Sequence, residues 1–190
     1  MKLIGSTTSP YVRRIRLLLT DEPHEFANLD IYGGDRDELR KHNPALKIPM
    51  LIDDHQTLFD SRVIARYLSA RQGLDPLTWD QENLLTLIDA ANDSFVTLLL
   101  SKRSGLDVDQ DAMFYNLQWE RVAKTLSALA ERVQDGEFDH WHYPAMCLYC
   151  LVDWLEFRDF LQGEGVDVLL AFRDRNRDQP GVGATDPRLS

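Results

Sequence analysis

The spacing of apolar residues divides the chain into two parts of different character. Lys2 to Gly5 is short and apolar, as a buried strand is, and it leads into the polar loop Ser6, Thr7, Thr8, Ser9. Pro10 sits at a first helical position, which tolerates proline, and Ser9 before it is a good N-cap. Tyr11 to Leu19 contains no breaker, and Val12, Ile15, Leu18 and Leu19 repeat at helical spacing. Glu25 to Ile31 alternates around Phe26, Leu29 and Ile31 and predicts a second strand, broken by Gly33-Gly34. Asp35 to Lys41 predicts a short polar helix. Met50 to Asp53 and Thr57 to Phe59 predict two strands joined by the hairpin-like connection Asp54-His55-Gln56. Ser61 to Arg71 follows as a helix with Val63, Ile64, Tyr67 and Leu68 on one face. The order βαβαββα describes an α/β sandwich in which a parallel start is closed by an antiparallel hairpin.

Gly73 and Pro76 interrupt the periodicity, and no strand pattern follows. A linker at about residues 72–79 therefore separates an N-terminal domain, residues 1–74, from a C-terminal domain, residues 80–190. Leu84, Ile88, Ala91, Phe95 and Leu98 form one stripe of a long helix, and Tyr115, Trp119, Val122, Leu126, Leu129 and Val133 form the stripe of a second. Pro144 to Phe157 is apolar on nearly every side, as expected of a helix buried at a domain centre, and Val166 to Phe172 predicts one more. The second domain is expected to be all-α. The tail from Arg173 is charged, then rich in Gly and Pro, and is expected to wrap the surface. Trp79, Trp119, Trp141 and Trp154 are core or interface candidates.

Charge narrows the partners. The 190 residues carry 21 Lys+Arg against 31 Asp+Glu, a net charge of −10 at pH 7, so the chain offers no electrostatic footprint for a phosphate backbone and no nucleic-acid partner is expected. No uninterrupted apolar run reaches the ~20 residues of a membrane span. The start MKLIGSTTSP turns polar too soon for a signal peptide. The expectation is a cytoplasmic protein with no membrane partner. Cys147 and Cys150 form a C-x-x-C inside the apolar helix and read as two reduced core thiols. Asp139-His140-Trp141-His142 places two imidazoles near a carboxylate, but without further spaced ligands, and no metal is expected.

Four segments carry more specific information. Ser9-Pro10-Tyr11-Val12-Arg13 follows the first strand, and Asn43-Pro44 with Lys47-Ile48-Pro49 precedes the third. Asp60-Ser61 opens the third helix, and Pro180-Gly181-Val182-Gly183-Ala184-Thr185 closes the chain. In this order and spacing, over essentially the whole chain, they resemble the cytosolic glutathione S-transferases, most nearly the serine-type bacterial and plant members. The resemblance implies a thioredoxin-like N-terminal domain followed by an all-α helical domain. It also implies glutathione as co-substrate, a homodimer, and a role in detoxification.

The same residues have a physical reading. Ser61 lies where unpaired helix N–H groups point outward at the positive end of a helix, a ready anion site. In the family this corner holds the γ-glutamyl carboxylate, while the acidic residue, here Asp60, helps with the ammonium; Asp60 and Ser61 would equally well cap a helix. Pro49 lacks the donor that a ladder needs, so it marks a strand start or a turn. The resemblance implies a cis Ile48-Pro49 bond that turns the Ile48 backbone toward the cysteinyl part of glutathione. Lys47 is either the partner of the glycyl carboxylate or a solvated loop lysine.

Ser9 is the candidate catalytic residue. A free thiol of pKa about 8.5 is only a few per cent thiolate at neutral pH, and a hydroxyl donating to sulfur at a helix N-terminus favours the anion. Ser9 would stabilise the thiolate and would not itself attack; Thr8 and Tyr11 are neighbouring hydroxyls that would serve instead. Ser9-Pro10-Tyr11-Val12 contains no sulfur, which excludes disulfide exchange by this site. The reading is therefore attack of glutathione on a small electrophilic, moderately apolar substrate, with residues such as Phe95, Leu99, Lys102 and Arg103 as candidates for its site. The alternative is a non-catalytic protein of this fold acting in binding or regulation. One departure bears on that alternative: the Ser/Thr and Asp that cap the family's buried helix are replaced by His142 and Ala145, with Pro144 between them.

Overall fold

The first strand, β1 (Lys2–Gly5), is followed by α1 (Pro10–Leu18), β2 (Glu25–Asn28), α2 (Arg36–His42), β3 (Met50–Asp53), β4 (Gln56–Phe59) and α3 (Ser61–Arg71). This computed structural model describes residues 1–54 and 56–189. The strands form one sheet in the order β2-β1-β3-β4, with β1 parallel to β2 and antiparallel to β3, and β3 antiparallel to β4. The expected βαβαββα order is present. His55 of the expected connection lies outside the described residues, while the pair Asp53–Gln56 closes the β3–β4 ladder beside it.

β2 stops at Asn28, three residues short of the expected Ile31, because a local turn takes the backbone groups that a longer ladder would need. The Asp30 N–H donates to the Asp35 carboxylate at 2.8 Å, and the Gly33 and Asp35 N–H groups donate to the Asp30 carbonyl, each at 3.2 Å. On α3 the buried face is Ile64, Ala65 and Leu68, whereas Val63, expected on it, is 49% exposed. Tyr67 is half-buried and donates its hydroxyl to the buried Asp53 carboxylate at 2.8 Å, which Arg71 also engages. A helix side chain thus anchors the hairpin.

The chain divides into two units, Met1–Pro76 with Arg177–Ser190, and Leu77–Asn176. The end of the chain, expected with residues 80–190 in the second domain and around the surface, instead groups with the sheet. Buried Arg13 donates from Nε to the Thr185 hydroxyl at 3.2 Å and from Nη2 to the Val182 carbonyl at 3.1 Å. Arg16 donates to the Ala184 carbonyl at 3.3 Å; burial and the nearby Arg13 guanidinium lower its pKa. Gly181 has φ +79° in this segment, and a Cβ there would stand 2.1 Å from the Thr20 hydroxyl, so the close approach requires glycine. Arg173 is not in the tail at all. It is buried within a helix, against Glu156 at 2.9 Å and Asp153 at 3.3 Å, and its hydrogen bonds to Glu156 raise its pKa.

The second unit contains α4 (Trp79–Arg103), α5 (Met113–Gln134), α6 (Tyr143–Phe157) and α7 (Val166–Arg175). α4 starts five residues before Leu84, at a capping box in which Thr78 accepts from the Gln81 N–H and the Gln81 side chain accepts from the Thr78 N–H. Trp79, a core or interface candidate, precedes the apolar stripe and is 86% exposed, which removes the core alternative for it; Trp154 is buried, and Trp119 and Trp141 are half-buried. Both expected stripes face the core, Trp119 alone excepted. Although no uninterrupted apolar run was expected to span a membrane, α4 is long and apolar enough to do so by length and composition, and 44% of its most apolar window is buried inside the protein.

α6 is buried along nearly its whole length, with Cys147 and Cys150 buried in it and not joined in a disulfide. Its N-terminus corrects an expectation, since the cap is not lost. His142 Nδ1 accepts the Ala145 N–H at 3.1 Å, and the other ring nitrogen, Nε2, donates to the Glu137 carbonyl at 3.1 Å. An imidazole in one tautomer replaces the hydroxyl, and Pro144 removes the donor between them.

Candidate functional site

Strand register brings the three candidate segments to one end of the sheet. Ile4 of β1 pairs with Met50 of β3, and Met50 pairs with Phe59 of β4. The loop that follows Gly5, the residues that precede Met50 and those that follow Phe59 therefore emerge at the same edge. Ser9, Lys47-Ile48-Pro49 and Asp60-Ser61 occupy these three positions.

Ser9 is the N-cap of α1 in extended conformation (φ −87°, ψ 126°), and its hydroxyl oxygen accepts the Val12 N–H at 3.3 Å. It is half-buried. A hydroxyl has one donor and two acceptor sites, so this cap leaves its O–H available to donate. The loop before it is held from both sides: the Thr7 N–H donates to Asn28 Oδ1 at 3.0 Å, and the Ser9 N–H to the Ser6 carbonyl at 3.1 Å. Of the alternative hydroxyls, that of Thr8 lies 3.3 Å from that of Ser6, and the Tyr11 ring lies 5.0 Å from the Arg14 guanidinium carbon.

The Ile48-Pro49 bond is cis. Neither the N–H nor the C=O of Ile48 enters a backbone hydrogen bond among the described residues. Buried Asn43 holds this loop: its Nδ2 donates to the Lys47 carbonyl at 2.7 Å, and its Oδ1 accepts the Ala45 N–H at 2.9 Å. The Lys47 side chain is exposed and has no ion-pair partner among the described residues.

Asp60 is the N-cap of α3, with Oδ1 accepting the Arg62 N–H at 2.8 Å, and Ser61 is the first helical residue, buried at 3% exposure. The backbone of Asp60 has φ 72° and ψ 136°, in a region that residues with a Cβ rarely visit. Such a conformation persists only where its surroundings over-determine it, and it is common at ligand clamps.

Residues 3–76 match the family model for the N-terminal domain of glutathione S-transferases. The chain is also 29% identical, over 88% of its own length and 88% of the other, to the uncharacterised GST-like protein YibF of Escherichia coli (strain K12). The likeness to glutathione S-transferases thus covers the N-terminal domain by the family model and most of the chain by this relative. The fold of the chain is correspondingly that of solved glutathione transferases. One is a glutathione transferase family member from Pseudomonas fluorescens Pf-5 with bound glutathione, at TM-score 0.80 and 24% identity over 98% of both chains. Another is a glutathione S-transferase from Methylobacillus flagellatus KT with glutathione bound, at TM-score 0.83 and 21% identity over 98% of both. The glutathione S-transferase architecture, a thioredoxin-like domain followed by helices, is therefore present as expected.

Sequence reasoning missed several residues that shape this end of the fold. Arg13 and the closing segment were noted separately, yet the structure joins them by two hydrogen bonds. Asn43 and Asn28 hold the two loops, and only the pairing of side-chain amide to backbone reveals it. Among the described residues no group of three His, Cys, Asp or Glu side chains is placed to hold a metal ion.

Proposed function

We propose that this protein binds glutathione at the sheet edge and activates its thiolate for attack on a small electrophilic, moderately apolar molecule. The observation that carries the reading is the register Ile4–Met50–Phe59, which gathers an α1 N-terminus, an unpaired Ile48 backbone and an α3 N-terminus at one edge. Glutathione is an extended peptide with an anionic group at each end and a thiol between them, so it needs a strand-like partner flanked by two anion sites. Ser61 with the α3 N–H groups would take the γ-glutamyl carboxylate, Asp60 the ammonium, and Ile48 beside Pro49 the cysteinyl backbone. Lys47 would take the glycyl carboxylate.

Ser9 then acts on the sulfur. The thiol gives its proton to solvent, and the Ser9 O–H, still available beside its cap, donates to the resulting thiolate at the positive end of α1. The sulfur attacks the electrophilic carbon; a new C–S bond forms, and the leaving group departs with the bonding pair. No side chain of the protein is consumed. The reading includes a cytoplasmic homodimer, for which the exposed apolar side chains of Met113, Phe114 and Leu117 on the second unit supply a surface.

Titration calorimetry with glutathione tests the site. Ser61→Ala should weaken binding by about 1.5 to 3 kcal/mol, the loss of one hydrogen bond to a charged group. Unchanged affinity in that variant, or no binding to the wild type at millimolar glutathione, rejects the site. Binding with full affinity but no turnover across a panel of electrophiles would favour the non-catalytic alternative.

A further inference from the structure

The second unit holds a cavity that none of the roles above employs. It has a volume of about 440 Å³ and lies where the first turns of α4, the last turn of α5 and the residues before α6 meet. Buried Leu84 and half-buried Leu87 give it an apolar floor, and Asp80, Asn83, Arg132 and Glu137 give it a polar rim. An apolar floor with a few convergent polar groups is what a small-molecule site requires.

Hydrogen bonding within the walls decides what such a molecule would meet. Arg132 Nη1 donates to Glu137 Oε1 at 2.7 Å, and His142, also in the wall, engages the Ala145 N–H and the Glu137 carbonyl with its two ring nitrogens. Three acceptors stay open. The side chains of Asp80 and Asn83 have no hydrogen-bond or ion-pair partner among the described residues, and Glu137 keeps its second carboxylate oxygen. The charge is one-sided as well: two carboxylates face one guanidinium, while the ring of His142 has an unprotonated Nδ1 as the acceptor of the Ala145 N–H. The hydrogen bond to Glu137, and then the charges of Glu137, Asp135 and Glu131, raise the Arg132 pKa, so acidic groups also surround the one cation of the rim. The helix dipole accounts for Asp80 in the first turn of α4, as it does for Glu82. It does not account for Glu137, which comes to the same cavity from a different segment.

We infer that this cavity binds a primary aliphatic amine in its ammonium form, with the ammonium among Asp80, Asn83 and Glu137 and the carbon chain on Leu84 and Leu87. A primary ammonium has three N–H donors and no acceptor, which matches three open acceptors. A carboxylate or a phosphate would instead meet Asp80 and Glu137 as like charges. An alcohol of the same length would keep the apolar contact and lose the charge, and a trimethylated amine would keep the charge and lose the donors.

The inference does not rest on glutathione binding, and its test omits glutathione. Amide NMR spectra of the isotope-labelled full chain are followed as n-pentylamine, 1-pentanol or pentyltrimethylammonium is added at neutral pH, where the amine is charged. n-Pentylamine should shift the amides of residues 80–87 and 132–142 and bind at least fivefold more tightly than either analogue. Asp80→Asn and Asn83→Ala should each weaken n-pentylamine at least fivefold; both side chains are exposed, so the fold does not depend on them. Asp109→Asn makes the same change of charge in the loop after α4, outside the cavity, and should change the affinity less than twofold. Equal affinity for the amine and either analogue, amide shifts confined to other parts of the chain, or as large a loss in Asp109→Asn as in Asp80→Asn overturns the inference.

Discussion

His142 should be the most informative single position in the helical unit, because its ring does the work of a missing hydroxyl. In His142→Ala the Ala145 N–H loses its acceptor at 3.1 Å, and Ala145 is fully buried, so no water replaces it readily. The Glu137 carbonyl loses its donor at the same time, at 3.1 Å. Loss of an N-cap acceptor costs about 1 kcal/mol, and an unsatisfied buried donor costs about 1 to 3 kcal/mol. These overlap, because both describe the Ala145 N–H, so the expected total is about 2 kcal/mol. Contact with the Phe138 ring, 6.3 Å away, adds a smaller packing loss. His142→Ser keeps an acceptor for Ala145 but cannot reach Glu137, and it should recover about half. Urea unfolding followed by far-ultraviolet circular dichroism measures both variants, with the midpoint falling at unchanged slope. If His142→Ala lies within 0.5 kcal/mol of wild type, a value below the usual range for a cap, or if serine does no better than alanine, the ring does not cap α6 and the reasoning fails.

Two further outcomes follow from the sheet unit. Ser9→Ala should raise the midpoint of bound-thiol ionisation, followed by thiolate absorbance, by about one to two pKa units, since one hydrogen bond to a charged group contributes about 1.5 to 3 kcal/mol; a shift in Thr8→Ala or Tyr11→Phe with none in Ser9→Ala would move the assignment to that hydroxyl. Gly181→Ala places a Cβ against the Thr20 hydroxyl at positive φ and should cost about 2 kcal/mol or more, read as a lower urea midpoint, with an unchanged midpoint refuting the close approach.

What the sequence made legible, it made legible through period. Val12 and Ile15 on α1, and Leu84, Ile88, Phe95 and Leu98 on α4, are buried because burial is what sets helical spacing. Boundaries were less legible, since they depend on local hydrogen bonds that compete with the ladder. The Asp30–Asp35 turn ends β2 early, and the Thr78–Gln81 box starts α4 before its apolar stripe. Val63 shows a limit of a different kind, because an apolar residue on a short helix reads as core whichever face it occupies. The return of residues 177–190 to the sheet was not legible at all. It rests on Arg13 and Arg16 reaching the carbonyls of Val182 and Ala184, and backbone acceptors have no sequence signature.

The candidate site posed a choice in the sequence between capping and ligand binding, and hydrogen-bond accounting removes the conflict. Ser9 spends one acceptor site on Val12 and keeps its donor, while a thiolate needs a donor. Asp60 spends Oδ1 on Arg62, and Oδ2 remains for an ammonium. Asp60 holds φ at 72° where the chain turns from β4 into α3, whereas an N-cap is ordinarily extended, as Ser9 itself is. The capping bonds fix where each side chain stands, and the unspent donor and acceptor of the same side chains are what a bound peptide would meet. Pre-organisation of this kind lowers the cost of ordering the site when the ligand arrives. It also explains why Ser9 and Asp60 stand at the starts of α1 and α3 and not at helix ends: that is where a short polar side chain can satisfy the backbone and still face outward.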